Sequence, residues 1–211
     1  VDHADSLSIE DYILYGGMVH SNVLGYSLEA IRFKDFCSGG IFWMYNDTWG
    51  EVGWTIIDYY LRRKPSFYGV KRALAHQKIS IRSIDGKVVV QGCNDGMEPL
   101  DFQAEYGYIS FDGKERHTKT LSFHLAPHTR VYLSEEELPD YDYKKGAIMV
   151  IPDAEEIAPV MLIIHENRHL DYAPSKISVL SSYQEDDQTV LTITSEGYVH
   201  GVYVKGDYKC S

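Results

Sequence analysis

Ile41-Phe42-Trp43-Met44-Tyr45, followed at once by Asn46-Asp47-Thr48-Trp49-Gly50, is an apolar run that ends abruptly in polar and aromatic side chains. A run without alternation predicts a strand buried on both faces, as in a parallel sheet or barrel. Ligands in barrels and open α/β sheets bind at the carboxyl ends of such strands, which is where the Asn46–Gly50 cluster falls. Upstream, residues 8–36 predict one long amphipathic helix. Ser8 and Asp11 form an S-x-x-D opening that satisfies free amide donors at a helix start. Tyr12, Tyr15, Val19, Val23 and Tyr26 recur at three- and four-residue steps, the spacing of a buried helical stripe. Gly16 and Gly17 each cost such a helix about 1 kcal/mol relative to alanine, so their presence predicts close packing against another element. Ser38-Gly39-Gly40 ends the segment. Downstream, Ser66–Ala75 predicts a second helix. Helix, buried strand, site-like loop and helix together read as a piece of an α/β fold.

From Lys78 the texture changes. Lys78-Ile79-Ser80-Ile81-Arg82 alternates polar and apolar, and Gly86 separates it from Val88-Val89-Val90. Further strand candidates fall at 102–111, 119–126, 130–134, 147–151, 159–166, 176–183, 188–194 and 198–205. Short strands separated by turn residues argue for β-sandwich modules. Glu135-Glu136-Glu137 and the Tyr141–Lys145 segment read as an exposed loop, and Tyr172-Ala173-Pro174-Ser175 as a connector. The expected organisation is α/β in residues 1–76, a β-sandwich in 77–172 and the start of a second, incomplete sandwich in 173–211.

Charge narrows the partners. The chain's 211 residues carry a net charge of -11. Residues 1–76 hold 7 basic and 9 acidic side chains, whereas residues 77–211 hold 13 and 22. Nucleic acid and anionic lipid are repelled by the second part, and Arg62-Arg63-Lys64 is too short a basic run to bind either. A neutral substrate or a protein surface fits better. No stretch reaches the roughly 18 apolar residues of a membrane span. Cys37, Cys93 and Cys210 are too few and too scattered for a disulfide framework and read as free thiols. The first residues, Val-Asp-His-Ala-Asp, have neither an initiator methionine nor a signal-peptide layout, so they read as an interior starting point that leaves localisation open. The 17 tyrosines suit β-surfaces in general as well as carbohydrate-facing clefts, so they weigh toward β structure.

The segment Gly39–Trp49 resembles the last barrel strand of family 2 glycoside hydrolases of the β-mannosidase type, which carry a pattern close to G-x-x-x-W-x-x-N-D-x-W. The likeness continues through Trp54-Thr55-Ile56-Ile57-Asp58-Tyr59-Tyr60, similar to that family's W-S-x-x-D-Y-Y. It extends through Lys64–Ala73, similar to its K-x-x-Y-x-x-x-R closing helix. Upstream, Glu10-Asp11-Tyr12 and the helix that follows resemble the element preceding that strand. Behind the barrel, Glu166-Asn167 to Pro174-Ser175-Lys176 resembles the crossing between the family's two C-terminal immunoglobulin-like domains. Thr189–Gly197 and Val199–Val204 look like the opening strands of the last one. The chain stops at Cys210-Ser211, before the D-N-Y-F-D-type segment expected next.

The resemblance implies the C-terminal end of a (β/α)8 TIM barrel followed by immunoglobulin-like β-sandwich domains. It further implies a parent enzyme that hydrolyses terminal β-mannosides with retention and without cofactor or metal. The family's two catalytic Glu residues lie on earlier barrel strands, so this chain is expected to hold no catalytic residue and to need the missing N-terminal part of the same enzyme. Asp47, Glu51 and Asp58 surround one strand end, and one loop cannot supply carboxylates on both faces of a glycosidic bond. What remains is a share of the sugar pocket: Trp43 as an aromatic floor, Asn46 and Asp47 as hydrogen-bonding groups or supports for the carboxylates, and Trp49 beside them. Trp49 and Trp54 equally suit packing of the loop, and Asp58 suits a structural pair with Arg62 or Arg63. Asn46-Asp47-Thr48 is formally a glycosylation sequon, expected to be unmodified because a glycan there blocks the pocket. His165-Glu166-Asn167-Arg168-His169 matches H-E-x-x-H, but the preceding β-branched run predicts a strand, which holds the two histidines about 13 Å apart, too far for one zinc. Competing readings are a family member for another sugar (a β-galactoside or β-glucuronide) and a non-catalytic carbohydrate- or protein-binding β-sandwich module. The module reading leaves the Ile41–Tyr45 strand without a sheet to bury it.

Overall fold

The computed structural model describes residues 4–34, 36–50, 53–186 and 188–204. A one-turn 3-10 helix at Ala4–Ser6 precedes α1, Ile9–Arg32. The predicted cap forms: Ser8 is extended, and its Oγ accepts from the Asp11 amide at 3.0 Å. Such a cap stabilises a helix by about 1 kcal/mol. After an irregular crossing comes α2, Pro65–Ala73, with Pro65 in the first turn where its missing amide costs nothing.

The predicted buried stripe of α1 is exposed in this chain. Tyr12, Tyr15, Val19, Val23 and Tyr26 all face water, and the buried positions are Ser21, Gly25 and Leu28. The physical reason is that α1 meets α2 through small residues. A Cβ on Gly25 would touch the Gly69 carbonyl oxygen at 3.5 Å, and one on Gly69 would lie 2.6 Å from that of Ser21. Gly17 abuts Pro65 in the same seam, whereas Gly16 faces open space, so only one of that glycine pair packs closely.

β1 (Gln77–Ile84), β2 (Lys87–Asn94) and β5 (Thr129–Glu137) make a three-stranded antiparallel sheet in the order β1-β2-β5. β3 (Leu100–Ser110), β4 (Arg116–Leu125), β6 (Gly146–Pro152) and β7 (Val160–Leu162) make a four-stranded one in the order β4-β3-β6-β7. The two pack as a β-sandwich around Ile79, Val88, Val90, Phe102, Ala104, Tyr106, Tyr108, Phe123, Leu125, Ile148 and Val150. Alternation explains the choice: in β3, Phe102, Ala104, Tyr106 and Tyr108 point inward at every second position. Asp85-Gly86, both at positive φ, turn β1 into β2, as a two-residue hairpin loop requires.

Several boundaries differ from the sequence reading. Glu135-Glu136-Glu137 belong to β5 rather than to a loop, with Lys87 of the neighbouring strand on Glu135 at 2.7 Å and Lys119 of the other sheet on Glu136 at 2.5 Å. The Tyr141–Lys145 segment is a loop but is not exposed throughout. Tyr143 is buried, and Tyr141 stacks on Tyr108 at 4.6 Å. The expected strand at 159–166 shrinks to β7, because only Val160–Leu162 pair with β6. β8 (Ile177–Glu185) and β9 (Gln188–Ser195) form a separate antiparallel hairpin, with every residue of β8 exposed. Among the described residues, 198–204 form no strand. They run back over the helices instead, and the Tyr203 hydroxyl donates to the Arg63 carbonyl at 3.1 Å. Cys37 and Cys93 are free thiols, and burial pushes the Cys93 thiol up; Cys210 lies outside the described residues.

The helices are fastened to the sandwich at one corner. The Arg32 guanidinium donates to the carbonyls of Ala73 at 2.6 Å and Ala75 at 2.9 Å, and to Asp95 at 2.9 Å. Lys78 at the start of β1 pairs with Glu29 at 2.9 Å.

Candidate functional site

The Ile41–Tyr45 run lies in the crossing between α1 and α2, and it is not a strand buried on both faces. Phe42 packs inward with Leu28, Ile56, Ile57, Phe67 and Val70, while Ile41, Trp43 and Tyr45 face water. The segment alternates after all, but large apolar side chains stand on both sides, so the pattern is invisible in hydropathy. Pairing is one-sided. The Ile57 amide donates to the Tyr45 carbonyl at 3.0 Å and the Asp47 amide to the Ile57 carbonyl at 3.1 Å, giving a parallel bridge between Asn46 and Ile57. The Trp43–Met44 peptide is cis.

The carboxyl end of this segment gathers the predicted residues. Trp43 is 78% exposed, Trp49 and Asn46 are also exposed, and Asn46 Nδ2 donates to the Asp47 carbonyl at 3.2 Å. Asp47 points the other way, at 4% exposure. Its Oδ1 accepts from the Thr55 hydroxyl at 2.8 Å and its Oδ2 from Lys64 Nζ at 3.1 Å. Lys64 Nζ also donates to Thr55 Oγ1 and, at 3.5 Å, to the Gly53 carbonyl. Asp58 is structural in the expected way. It accepts from Arg62 Nε at 2.7 Å and from the amides of Tyr60 and Arg62. Trp54 is exposed and meets His20 of α1 edge-on, with ring centroids 6.5 Å apart. Glu51 lies outside the described residues.

Sequence reasoning missed Lys64, Thr55 and His20. Lys64 is the last member of a basic run whose other two members behave differently: Arg62 is held on Asp58, and Arg63 lies over the Phe67 ring at 4.8 Å. Only the proline that follows marks Lys64, because it starts α2 there and turns the preceding side chain toward the loop. Burial, then the Lys64 charge, lowers the His20 pKa from 6.5. The neutral imidazole is therefore favoured on folding. Stability held above the unfolded value of 6.5 is lost as pH falls through the folded value. The thermal midpoint of the chain should fall between pH 7.5 and pH 5, and His20→Asn should reduce that fall. An unchanged pH dependence in the variant sinks the assignment.

The H-E-x-x-H match sits elsewhere and in another conformation than expected. His165 lies in a bend and Asn167–His169 form a 3-10 turn, so the strand spacing invoked against it does not describe it. Both histidines are exposed and Glu166 pairs with Arg168 at 2.7 Å. Among the described residues no three His, Cys, Asp or Glu side chains gather as metal ligands. A cleft of about 390 Å³ opens beside the β3–β4 turn, lined by Phe111, Asp112, Lys114, Glu115, Lys145 and Asp171 among others. It shares no residue with the Trp43–Trp49 loop.

Comparison with known proteins bears on the whole chain. No family model matches it. β-Mannosidase B of Aspergillus niger is 25% identical over 212 residues, 89% of this chain and 25% of that protein. β-Mannosidase B of Emericella nidulans is 46% identical over 81 residues, 37% of this chain and 10% of that protein. The chain thus spans a quarter or less of the length of these curated relatives. Among solved structures, the β-D-mannosidase of Dictyoglomus thermophilum superposes with a TM-score of 0.82 at 31% identity, covering 90% of this chain and 24% of that one. An exo-chitosanase of Amycolatopsis orientalis shares the fold at a TM-score of 0.63 and 17% identity, covering 93% of this chain and 27% of that one. Over nine-tenths of its length the chain therefore has the make-up of a C-terminal, β-mannosidase-like portion of a family 2 glycoside hydrolase.

Proposed function

We propose that this chain is the rear part of a retaining exo-glycosidase that hydrolyses terminal β-mannosides, and that it contributes sugar-binding residues but no catalytic carboxylate. The carrying observation is the Trp43–Trp49 loop. It presents two exposed indoles and the Asn46 amide at the carboxyl end of a segment paired on one flank only, so a further strand has room to dock. In this reading residues 1–76 are the last helix–strand–helix part of a TIM barrel. Earlier barrel elements cover Ile41, Tyr45 and the exposed stripe of α1. Residues 77–172 are an immunoglobulin-like domain, supported by the three-on-four antiparallel arrangement in which β5 returns to pair with β2. Residues 173–211 open a second sandwich, supported by a hairpin that two strands alone hardly stabilise.

Trp43 is the floor on which the apolar face of the pyranose packs, Trp49 and Asn46 flank it, and Asp47 holds the loop from behind. Retention requires two carboxyl groups roughly 5–5.5 Å apart. Asp47 and Asp58 are each consumed by cations and hydrogen bonds within the chain, which supports its inactivity in isolation. No helix among the described residues is long and apolar enough to cross a membrane. A stand-alone β-sandwich binding module leaves the exposed side chains of α1 and Ile41–Tyr45 without a role.

The deciding experiment is a panel of nitrophenyl glycosides (β-mannoside, β-glucosaminide, β-galactoside and β-glucuronide) run on this chain and on the full reading frame that contains it. The expected result is β-mannoside turnover by the full frame alone. Turnover of another sugar by the full frame reassigns the substrate. Turnover by the isolated chain refutes the account of the missing carboxylates.

A further inference from the structure

We infer that Lys64 is a positioning residue of the sugar site, acting through Asp47 to fix the loop that carries Trp43, Asn46 and Trp49; this rests on the functional reading above. The Asp47 side chain is 1% exposed and that of Lys64 22%, so the ion pair is nearly dry although the loop around it faces water. Burying such a pair brings little net stability, because desolvation of both ions offsets their attraction, but it dictates geometry strongly. Here the geometry is over-determined. The ammonium contacts Asp47, Thr55 and the Gly53 carbonyl, three points on both arms of the hairpin-like crossing. Its own backbone is tied in as well, the Lys64 amide donating to the Ile56 carbonyl at 2.9 Å. Lys64 is also the residue that caps α2 in extended conformation, with Pro65 next. The start of a packed helix thereby fixes where the ammonium stands, the ammonium fixes Asp47, and Asp47 fixes the exposed residues on either side.

Shape, not charge alone, is what the cation supplies. Trp43 precedes Asp47 by four positions and Trp49 follows it by two, so release of the Asp47 carboxylate frees both indoles together. A loop freed in this way still reaches the bound geometry, but a bound sugar must order it first, which weakens binding more than it slows chemistry performed by carboxylates elsewhere.

The test is steady-state kinetics of the full-length enzyme on nitrophenyl β-mannoside, with variants Lys64→Met, Lys64→Arg and Thr55→Val, and Arg62→Met as a nearby cation outside the network. Lys64→Met is expected to raise KM by roughly tenfold or more with kcat changed less than about threefold. Lys64→Arg should recover part of the loss, and Arg62→Met should leave both constants unchanged. Thr55→Val, which keeps the ion pair but removes the bridging hydroxyl, should raise KM by roughly threefold. It decides the matter if Lys64→Met does not fold, and an unaltered KM in Thr55→Val then overturns the proposal. Wild-type kinetics in Lys64→Met overturn it, as do losses that merely follow the folded fraction and are not relieved by arginine. Inactivity of the unmutated enzyme on every glycoside of the panel refutes the functional reading itself. Activity of the wild type with an unaffected Lys64→Met refutes the positioning role alone.

Discussion

On the proposed reading, Trp43→Ala in the full-length protein should lower kcat/KM on a nitrophenyl β-mannoside by roughly a hundredfold while barely moving the thermal midpoint. A sugar face laid on an indole removes roughly 100 Å² of apolar surface from water, worth about 2.5 kcal/mol at 25 cal/mol per Å². At about 1.4 kcal/mol per tenfold, that is close to two orders of magnitude. Stability should hold because the indole is 78% exposed within this chain and contributes little to its packing. Trp43→Phe, which keeps a smaller aromatic face, should fall between. A Trp43→Ala enzyme within about threefold of wild type in kcat/KM removes Trp43 from the pocket.

Gly107→Ala should be the most damaging single methyl in the β-sandwich, costing about 3–5 kcal/mol of a total that in proteins of this kind is about 5–15 kcal/mol. Gly107 has φ +146, a conformation that disfavours any side chain, and lies on β3 between β4 and β6. A Cβ there would stand 2.1 Å from the His117 carbonyl oxygen and 2.9 Å from Thr118 Cα, both backbone atoms of the paired strand. No rotamer change relieves a clash with backbone, so β3 and β4 must separate or shift. Gly113→Ala is the control, since Gly113 also has positive φ (71°) but its Cβ would meet open space, and it should cost about 1 kcal/mol. Urea unfolding of the 211-residue chain measures both. A Gly107→Ala midpoint equal to that of Gly113→Ala would show that the strands adjust freely.

Legibility in the sequence followed how local each cause was. The Ser8 cap, a second helix (read from Ser66, one residue after its start at Pro65) and the strands β3 and β4 are dictated by neighbours a few residues away, and all were readable. The Asp58–Arg62 pair was readable for the same reason, at four residues' separation. What faces what was not. The stripe Tyr12–Tyr26 reads as buried because tyrosines and valines at helical spacing normally find a core, whereas α1 packs by Ser21 and Gly25, residues with almost no hydropathy signal. Glu135–Glu137 reads as a loop because the lysines that pair with Glu135 and Glu136 come from other strands. The site divided along the same line. Trp43, Asn46 and Trp49 cluster in the sequence and are exposed on one loop, and the resemblance alone gives them a part in sugar binding. Lys64 and Thr55 could not be found that way, because their meaning depends on a crossing that folds back on itself.

The corner where Arg32 meets Ala73, Ala75 and Asp95 bears on how such enzymes change by exchange of parts. Composition marks residue 76 as a seam, the natural place for recombination to swap one sandwich for another. One guanidinium reaches across that seam to both sides, and Lys78 reaches back to Glu29. A transplanted sandwich lacking a carboxylate at the place of Asp95 and a cation at the place of Lys78 would leave the end of α1 with unmatched charges. An exchange of sandwiches at this seam is therefore expected to keep the corner intact only where both ends of these pairs are carried over or rebuilt.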